Sequence, residues 1–274
     1  MTTEYKIRPI LTGWQFLDKG MYATYREGIG TILEHPVFAF LLEGGGHKYL
    51  CDTGMGSTER SQKFHHDGLQ EPGTAIHEQL PKMGISPDEI EAVIFTHLHW
   101  DHCSNMKEFK KAEYYASDIE YAFALDPIPP YWNSYEHPNC GLTPPFDGVK
   151  INTVEGEKEI FDGITIVPTP GHSPGHVSIA VNTAKGKYFI VGDLMFLRTN
   201  LEPDEKNGWP LTPPGRFCNL IDIWNSMEKI VKRADYILMT HDTIHLNVPE
   251  YPNEDDHNRN VSPILIHRTE HKNE

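Results

Sequence analysis

Residues 91–105 read EAVIFTHLHWDHCSN, a short apolar run that stops abruptly at His97, His99, Asp101 and His102. Ala92 to Thr96 is short and rich in Val, Ile and Phe, the pattern of a buried strand. A chain that stays extended through Thr96-His97-Leu98-His99 sends both imidazoles to one side, and a turn can then fold Asp101 and His102 back beside them. The spacing therefore builds two adjacent sets of nitrogen and oxygen donors, which is a metal site in outline.

Three later apolar runs end in the same way. Residues 164–169 lead into Thr169-Pro170-Gly171-His172-Ser173-Pro174-Gly175-His176, where two prolines and two glycines dictate a tight loop that can hold a ligand rigidly. His172 is the expected donor of this loop. His176, beside the next strand (177–182), is expected to be a hydrogen-bonded structural residue. Residues 187–191 close on Gly192-Asp193, and an Asp at a strand end has the acceptor oxygens to bridge two cations. Residues 236–240 close on His241-Asp242. Any one of the 16 histidines is more often surface or core than ligand, so the joint arrangement carries the argument. Two zinc-like ions each want about four or five donors, and seven residues with one bridging carboxylate and a bridging water supply them.

The remaining chain frames this site. Residues 4–12 and 36–52 read as opening strands, the second block a hairpin through Gly44-Gly45-Gly46-His47. Its exit carries Asp52, either a carboxylate behind the donors or a plain turn residue. Residues 20–35 read as a loop, covering the site or merely connecting. Helical spacing marks 73–84, with Pro81 an interruption, then a turn at 86–89, a short helix over 118–125 and a longer one over 221–234. Strands are expected at 112–116 and 149–154. Residues 126–147 hold six prolines with Tyr131, Trp132, Tyr135 and Phe146, too many breakers for regular structure, so a folded loop either lines a pocket or packs its rings on the core.

At 274 residues the chain suits one mixed α/β (α+β) domain over 1–251 and a polar, His-rich tail over 252–274, loosely ordered apart from the apolar Pro263–Ile266. Lys plus Arg number 24 against 39 Asp plus Glu, a formal charge of −15, which speaks against unassisted binding to nucleic acid or an anionic membrane. A small, metal-assisted substrate fits better. No apolar stretch approaches ~20 residues and the start lacks the basic-then-apolar order of a signal peptide, so a cytoplasmic protein is expected. Cys51, Cys103, Cys140 and Cys218 stand far apart and are expected to be free thiols. The oligomer is left open, a homodimer included.

The stretches THLHWDH (96–102), PGHSPGH (170–176), GDLMF (192–196) and THD (240–242) resemble the metallo-β-lactamase superfamily, in order and spacing across residues 36–242. Within it the chain looks most like the N-acyl homoserine lactonases and related small-lactone hydrolases. The resemblance implies a four-layer αββα sandwich with the site at one edge of the two sheets. By that resemblance His97, His99 and His172 hold a first metal, Asp101, His102 and His241 a second, and Asp193 bridges them. Asp101 also faces the bridging hydroxide and later carries a proton to the leaving alkoxide. Zinc is the expected metal, although imidazole and carboxylate also suit Fe, Co and Mn.

One position departs from the pattern. Lactonases of this kind commonly carry a tyrosine three residues after the bridging Asp, where its hydroxyl contacts the substrate carbonyl; here that residue is Phe196. Phenylalanine cannot donate that hydrogen bond, so either a tyrosine from residues 114–135 takes the role or the substrate differs. The expected reaction is opening of an acyl homoserine lactone or another small lactone within an apolar wall formed by residues 20–35, 126–147 and Phe196. Competing readings are a thioester hydrolase similar to glyoxalase II, for which the basic residues near the C-terminus are too scattered, and a non-catalytic metal-binding module. A β-lactamase role fits Asp193 poorly, and a redox di-iron role is disfavoured by His99, where such relatives place a glutamate.

Overall fold

A computed structural model describes residues 2–254 and 256–260 of the chain. Strands β1 (Lys6–Asp18) and β2 (Ile32–Gly44) pair antiparallel along nearly their whole lengths, from Lys6↔Glu43 to Asp18↔Ile32. Both run further than the sequence pattern indicates. Residues 32–35 belong to a strand rather than the expected loop because residues 15–18 supply their hydrogen-bonding partners. Between the strands, Lys19–Ala23 winds as one π-helical turn capped by Asp18, whose side chain accepts from Met21 N–H.

The first sheet adds β3 (His47–Cys51), β4 (Gly68–Leu69), β5 (Ala92–Ile94), β6 (Glu113–Ser117) and β7 (Ile151–Val154), in the order β4-β1-β2-β3-β5-β6-β7. The second holds β8 (Lys158–Phe161), β9 (Ile164–Pro168), β10 (Val177–Thr183), β11 (Gly186–Ile190) and β12 (Tyr236–Leu238), in the order β12-β11-β10-β9-β8. Because β10 pairs antiparallel with both β9 and β11, and β12 pairs parallel with β11, the strands β9, β11 and β12 all run the same way. Their C-terminal ends therefore open on one edge of the sandwich.

Period-two alternation sorts the side chains into layers. On β2, Phe38, Phe40 and Leu42 point inward against Ile166, Ile179, Tyr188 and Ile190 of the second sheet, while Ala39 and Leu41 point outward. That outer face is covered by α2 (Ile76–Gln79), α4 (Asp118–Leu125) and the loop residues Tyr131, Tyr135 and Phe146. The second sheet's outer face is covered by α5 (Leu220–Val231), through Ile223, Met227, Ile230 and Val231. Helices, sheet, sheet and helices make the four-layer sandwich the sequence led us to expect.

Local chemistry explains the deviations. The helix expected over 73–84 is α2 followed by a 3₁₀ turn, Leu80–Met83, because Pro81 lacks the N–H an α-helix needs; Gly84, at φ +79°, ends it. A helix the sequence pattern hides, α1 (Thr58–Phe64), has no apolar periodicity and is started by Ser57, whose hydroxyl accepts from Arg60 N–H. Residues 256–260 are less loose than expected of the tail. Asn260 N–H donates to Asp235 C=O and Ile237 N–H to Asn258 C=O, each at 2.9 Å. Pro263–Ile266 lies outside the described residues. Cys51, Cys103, Cys140 and Cys218 are free thiols, and among the described residues no helix is long and apolar enough to cross a membrane.

Ile230 is fully buried between α5 and the second sheet. Ile230→Ala should lower the unfolding free energy by about 2–5 kcal/mol, read as a shift in the denaturant midpoint at constant slope. A shift worth less than about 0.5 kcal/mol would deny α5 its packing role.

Candidate metal centre

Each of the seven singled-out residues sits where a strand has just ended. His97 and His99 follow β5, and Asp101 and His102 lie in α3 (Trp100–Cys103), a single turn rather than the simple bend expected, with His99 at its N-cap. His172 stands in the loop after β9, Asp193 in a 3₁₀ turn (Gly192–Leu194) after β11, and His241 just past β12. At this edge the sheets are stitched directly: Val177 N–H donates to Thr96 C=O at 2.9 Å, and Phe38 N–H to Thr240 C=O at 3.0 Å. All seven side chains are buried.

Asp193 lies at the middle. Its Oδ1 is 3.1 Å from Nε2 of both His102 and His241, and its Oδ2 is 3.3 Å from Nε2 of His172 and 4.0 Å from Nε2 of His97. One carboxylate thus turns an oxygen to each of two histidine pairs. Asp101 Oδ2 joins the second pair, 3.8 Å from His102 Nε2 and 3.9 Å from His241 Nε2. On the other side, His99 Nδ1 is 3.0 Å from His172 Nε2, a distance at which a proton or a shared cation must separate the lone pairs. Three sets of donor atoms lie close enough to hold an ion: His97/His99/His172, His97/His102/Asp193 and Asp101/His102/His241.

Four of the five histidines have their Nδ1 tied down, which fixes their tautomers. His241 Nδ1 donates to Pro36 C=O at 2.9 Å, and His172 Nδ1 to Arg216 C=O at 3.3 Å. His102 Nδ1 meets Asp52 Oδ2 at 2.9 Å. His97 Nδ1 meets Thr96 Oγ1 at 3.1 Å, and that hydroxyl donates to Asp52 Oδ2 at 2.8 Å. Asp52, left open between two roles by the sequence, thus steadies two histidines at once, from a left-handed backbone at φ 60° that costs a non-glycine residue energy. His176 has the structural part expected of it: Nδ1 faces Thr169 C=O at 3.1 Å, and Nε2 accepts from Asp193 N–H at 3.1 Å.

Electrostatics suits cations. Burial, then neighbouring imidazoles, hold His97 well below the ordinary histidine range, and burial brings His172 down to about 4. Burial opposes charge on His102 and His241 too, yet the carboxylates, Asp193 first, outweigh it and raise both. Burial also works against ionised Asp193, but His102, His241 and His172 pull it well below the usual carboxylate range. His97 Nε2, 4.0 Å from Asp193 Oδ2, and His99 Nε2 are buried without a hydrogen-bond partner. Orphaned nitrogens around an ionised carboxylate are what a divalent metal would satisfy, so the residues fit such ions.

The centre opens into a cavity of about 170 Å³. Its walls include Gln15, Tyr22, His65, His66, Pro130, Asn133, Ser134, Phe196 and Arg216, and are more polar than the compositions of residues 20–35 and 126–147 led us to expect. The 126–147 loop does both jobs considered for it: Pro130, Asn133 and Ser134 reach the cavity, while Tyr131, Tyr135 and Phe146 fill the core. None of the five tyrosines in 114–135 lines the cavity: Tyr135 donates to Glu120, Tyr115 to Glu113 and Tyr114 to backbone carbonyls. Phe196 lines the cavity and stacks on His241, with centroids 5.0 Å apart. The tyrosine on the wall is Tyr22, its hydroxyl 3.3 Å from His66 Nε2. Gln15, also unanticipated, donates from Nε2 to Asp101 Oδ2 at 2.8 Å. It sits opposite the buried His35 in the β1–β2 register, a long-range pairing that no local pattern signals.

Two outcomes test this geometry. Asp52→Asn should weaken metal binding about 10- to 100-fold, measured by chelator competition, because the amide must turn its NH2 either to Thr96 N–H or to the Thr96 hydroxyl and His102 Nδ1, all of which donate to the carboxylate; unchanged affinity would remove Asp52 from the assembly. Protons compete with cations for the imidazole lone pairs, so affinity should fall steadily on acidification from about pH 7.5 to 5.5. A flat profile would contradict ligation by histidine.

Comparison with known proteins gives the family and the fold. The metallo-β-lactamase superfamily pattern matches residues 32–241. An N-acyl homoserine lactonase of Bacillus cereus is 28% identical over 234 residues, 78% of this chain and 84% of that protein. The N-acyl homoserine lactonase AiiA of Bacillus thuringiensis subsp. kurstaki is 31% identical over 190 residues, 64% of this chain and 70% of that one. Among solved structures, a quorum-quenching N-acyl homoserine lactone lactonase superposes with a TM-score of 0.70 at 24% identity, over 90% of this chain and 95% of its own. AidC, a dizinc quorum-quenching lactonase, does so at 0.66 and 17% identity, over 89% of each chain. The chain belongs to the metallo-β-lactamase superfamily.

Proposed function

We propose that the chain is a dinuclear-metal hydrolase that opens lactones, acyl homoserine lactones or related small lactones among them. The observation that carries the reading is Asp193, whose two oxygens face two separate histidine pairs, as a carboxylate shared between two cations must. In this reading His97, His99 and His172 hold one ion, Asp101, His102 and His241 the other, and Asp193 both. Two divalent ions, zinc by preference, would supply hydroxide at neutral pH and polarise an ester carbonyl. The lactonase relatives support lactones over other esters.

The chain's own residues position and move the protons. Gln15 holds Asp101 Oδ2, and no described group hydrogen-bonds the other oxygen, Oδ1. Asp101 is thus placed to take a proton from attacking water and return it to the alkoxide as the ring C–O bond breaks, leaving a hydroxy acid. Tyr22 supplies the hydroxyl that Phe196 lacks, donating to the oxygen on which charge develops. Phe196, packed on His241, keeps bulk water off that ligand.

Turnover measured on metal-replete protein with γ-lactones of different acyl length, δ-lactones, S-lactoylglutathione and a β-lactam tests the assignment. Lactones should be opened, and chelation should abolish the activity. Efficient thioester cleavage with intact lactones would favour the glyoxalase II-like alternative, and one inert ion per chain a binding module. Tyr22→Phe should lower kcat roughly 10- to 100-fold with metal content intact; an unchanged kcat excludes Tyr22 from the chemistry.

A further inference from the structure

Arg216 is the odd charge in the cavity wall. The chain holds 39 acidic residues against 24 lysines and arginines, so carboxylate partners are plentiful. Arg60 shows the usual outcome: its Nε and Nη2 donate to both oxygens of buried Glu136. Arg216 has no carboxylate partner among the described residues. Its side chain donates one hydrogen bond of 3.3 Å, from Nη2 to Ser134 Oγ, and packs over Tyr131 with Cζ 5.1 Å from the ring centroid. A guanidinium carries five N–H donors, so most of these stay without a protein acceptor. They do so beside His99, His172 and Asp193, which line the same cavity.

The main chain of Arg216 is fixed to the site. Its N–H donates to Tyr22 C=O at 3.2 Å and its C=O accepts from His172 Nδ1 at 3.3 Å. The side chain therefore leaves a backbone tied to a candidate ligand, and truncating it spares both ties. After burial, its charge is among the influences that keep His99 and His172 unprotonated, so it acts within the site rather than on the surface.

We propose that Arg216 receives a carboxylate carried by the substrate beyond the scissile ester, so that the preferred lactones are anionic; this rests on the lactone-hydrolase reading above. The guanidinium fork matches a carboxylate with two parallel hydrogen bonds. A phosphate would call for several cations, and the wall offers one. A purely apolar substituent would strip water from the guanidinium and return nothing. The polar neighbours Tyr22, His66, Asn133 and Ser134 suit a charged group, and a cavity of about 170 Å³ suits a small ring.

The test compares a γ-butyrolactone bearing a ring carboxylate with its carboxamide, on metal-loaded wild type, Arg216→Met and Arg216→Lys. Wild type should favour the acid in kcat/KM by about 10- to 100-fold, the worth of a charge-assisted hydrogen bond. Arg216→Met should bring that ratio towards one with its metal retained, and Arg216→Lys should keep part of it. A wild-type ratio near one, a ratio unmoved by Arg216→Met, or metal lost from both variants would overturn the proposal. Calorimetric binding of the acid separates the two readings. Arg216-dependent binding without ring opening upholds the anion site and sinks the lactonase, whereas ring opening with no preference for the acid does the reverse.

Discussion

A carboxylate withdrawn from water costs several kcal/mol unless its surroundings replace the lost hydration. Asp193 is buried at the junction of the two sheets, and four imidazoles converge on it. Much of the architecture exists to hold it there. The shared direction of β9, β11 and β12 delivers His172, Asp193 and His241 to one edge. His176 fixes the Asp193 backbone by accepting its N–H. Gly192, at φ +52°, lets the chain turn where a Cβ would fall 2.7 Å from His176 Nε2 and 2.8 Å from Thr96 Cβ, so no larger residue fits before the aspartate.

Rigidity in the donors comes from further out. Pro36 and Arg216 hold histidine N–H groups with main-chain carbonyls, which cannot rotate away as side chains do. Asp52 and Thr96 form a short relay serving His97 and His102 together. Such supports orient lone pairs before any ion arrives, lowering the ordering cost of binding. The same design extends to Asp101, whose Oδ2 is steadied by the amide of Gln15 on β1.

The donors were legible because they are local. H-x-H-x-D-H, the Pro-Gly-His loop and Gly-Asp each follow an apolar run, and a strand end is visible within a few residues. The cavity wall was not legible. Gln15 depends on the β1–β2 register, Tyr22 on a π-helical turn and Arg216 on a carbonyl bonded to His172; each is set by partners many residues away. Composition alone misjudged the wall, since in residues 126–147 the rings turn to the core and the small polar residues turn to the cavity. A strand as short as β8, four residues of which only Ile160 and Phe161 are apolar, likewise takes its register from β9.

The seam between β12 and residues 256–260 has a consequence for how the molecule keeps company with its own kind. β12 is the outermost strand of its sheet, and an outermost strand with bare amide and carbonyl groups is a template on which another chain can polymerise. Asn258 and Asn260 occupy that row with the protein's own backbone, while their side chains are buried, Asn260 donating from Nδ2 to Val231 and Ala234 carbonyls. The segment thus works as a selvedge. Cutting it back would fray the border beside His241 and leave a sticky margin, so that loss of catalysis and the onset of clumping would arrive together.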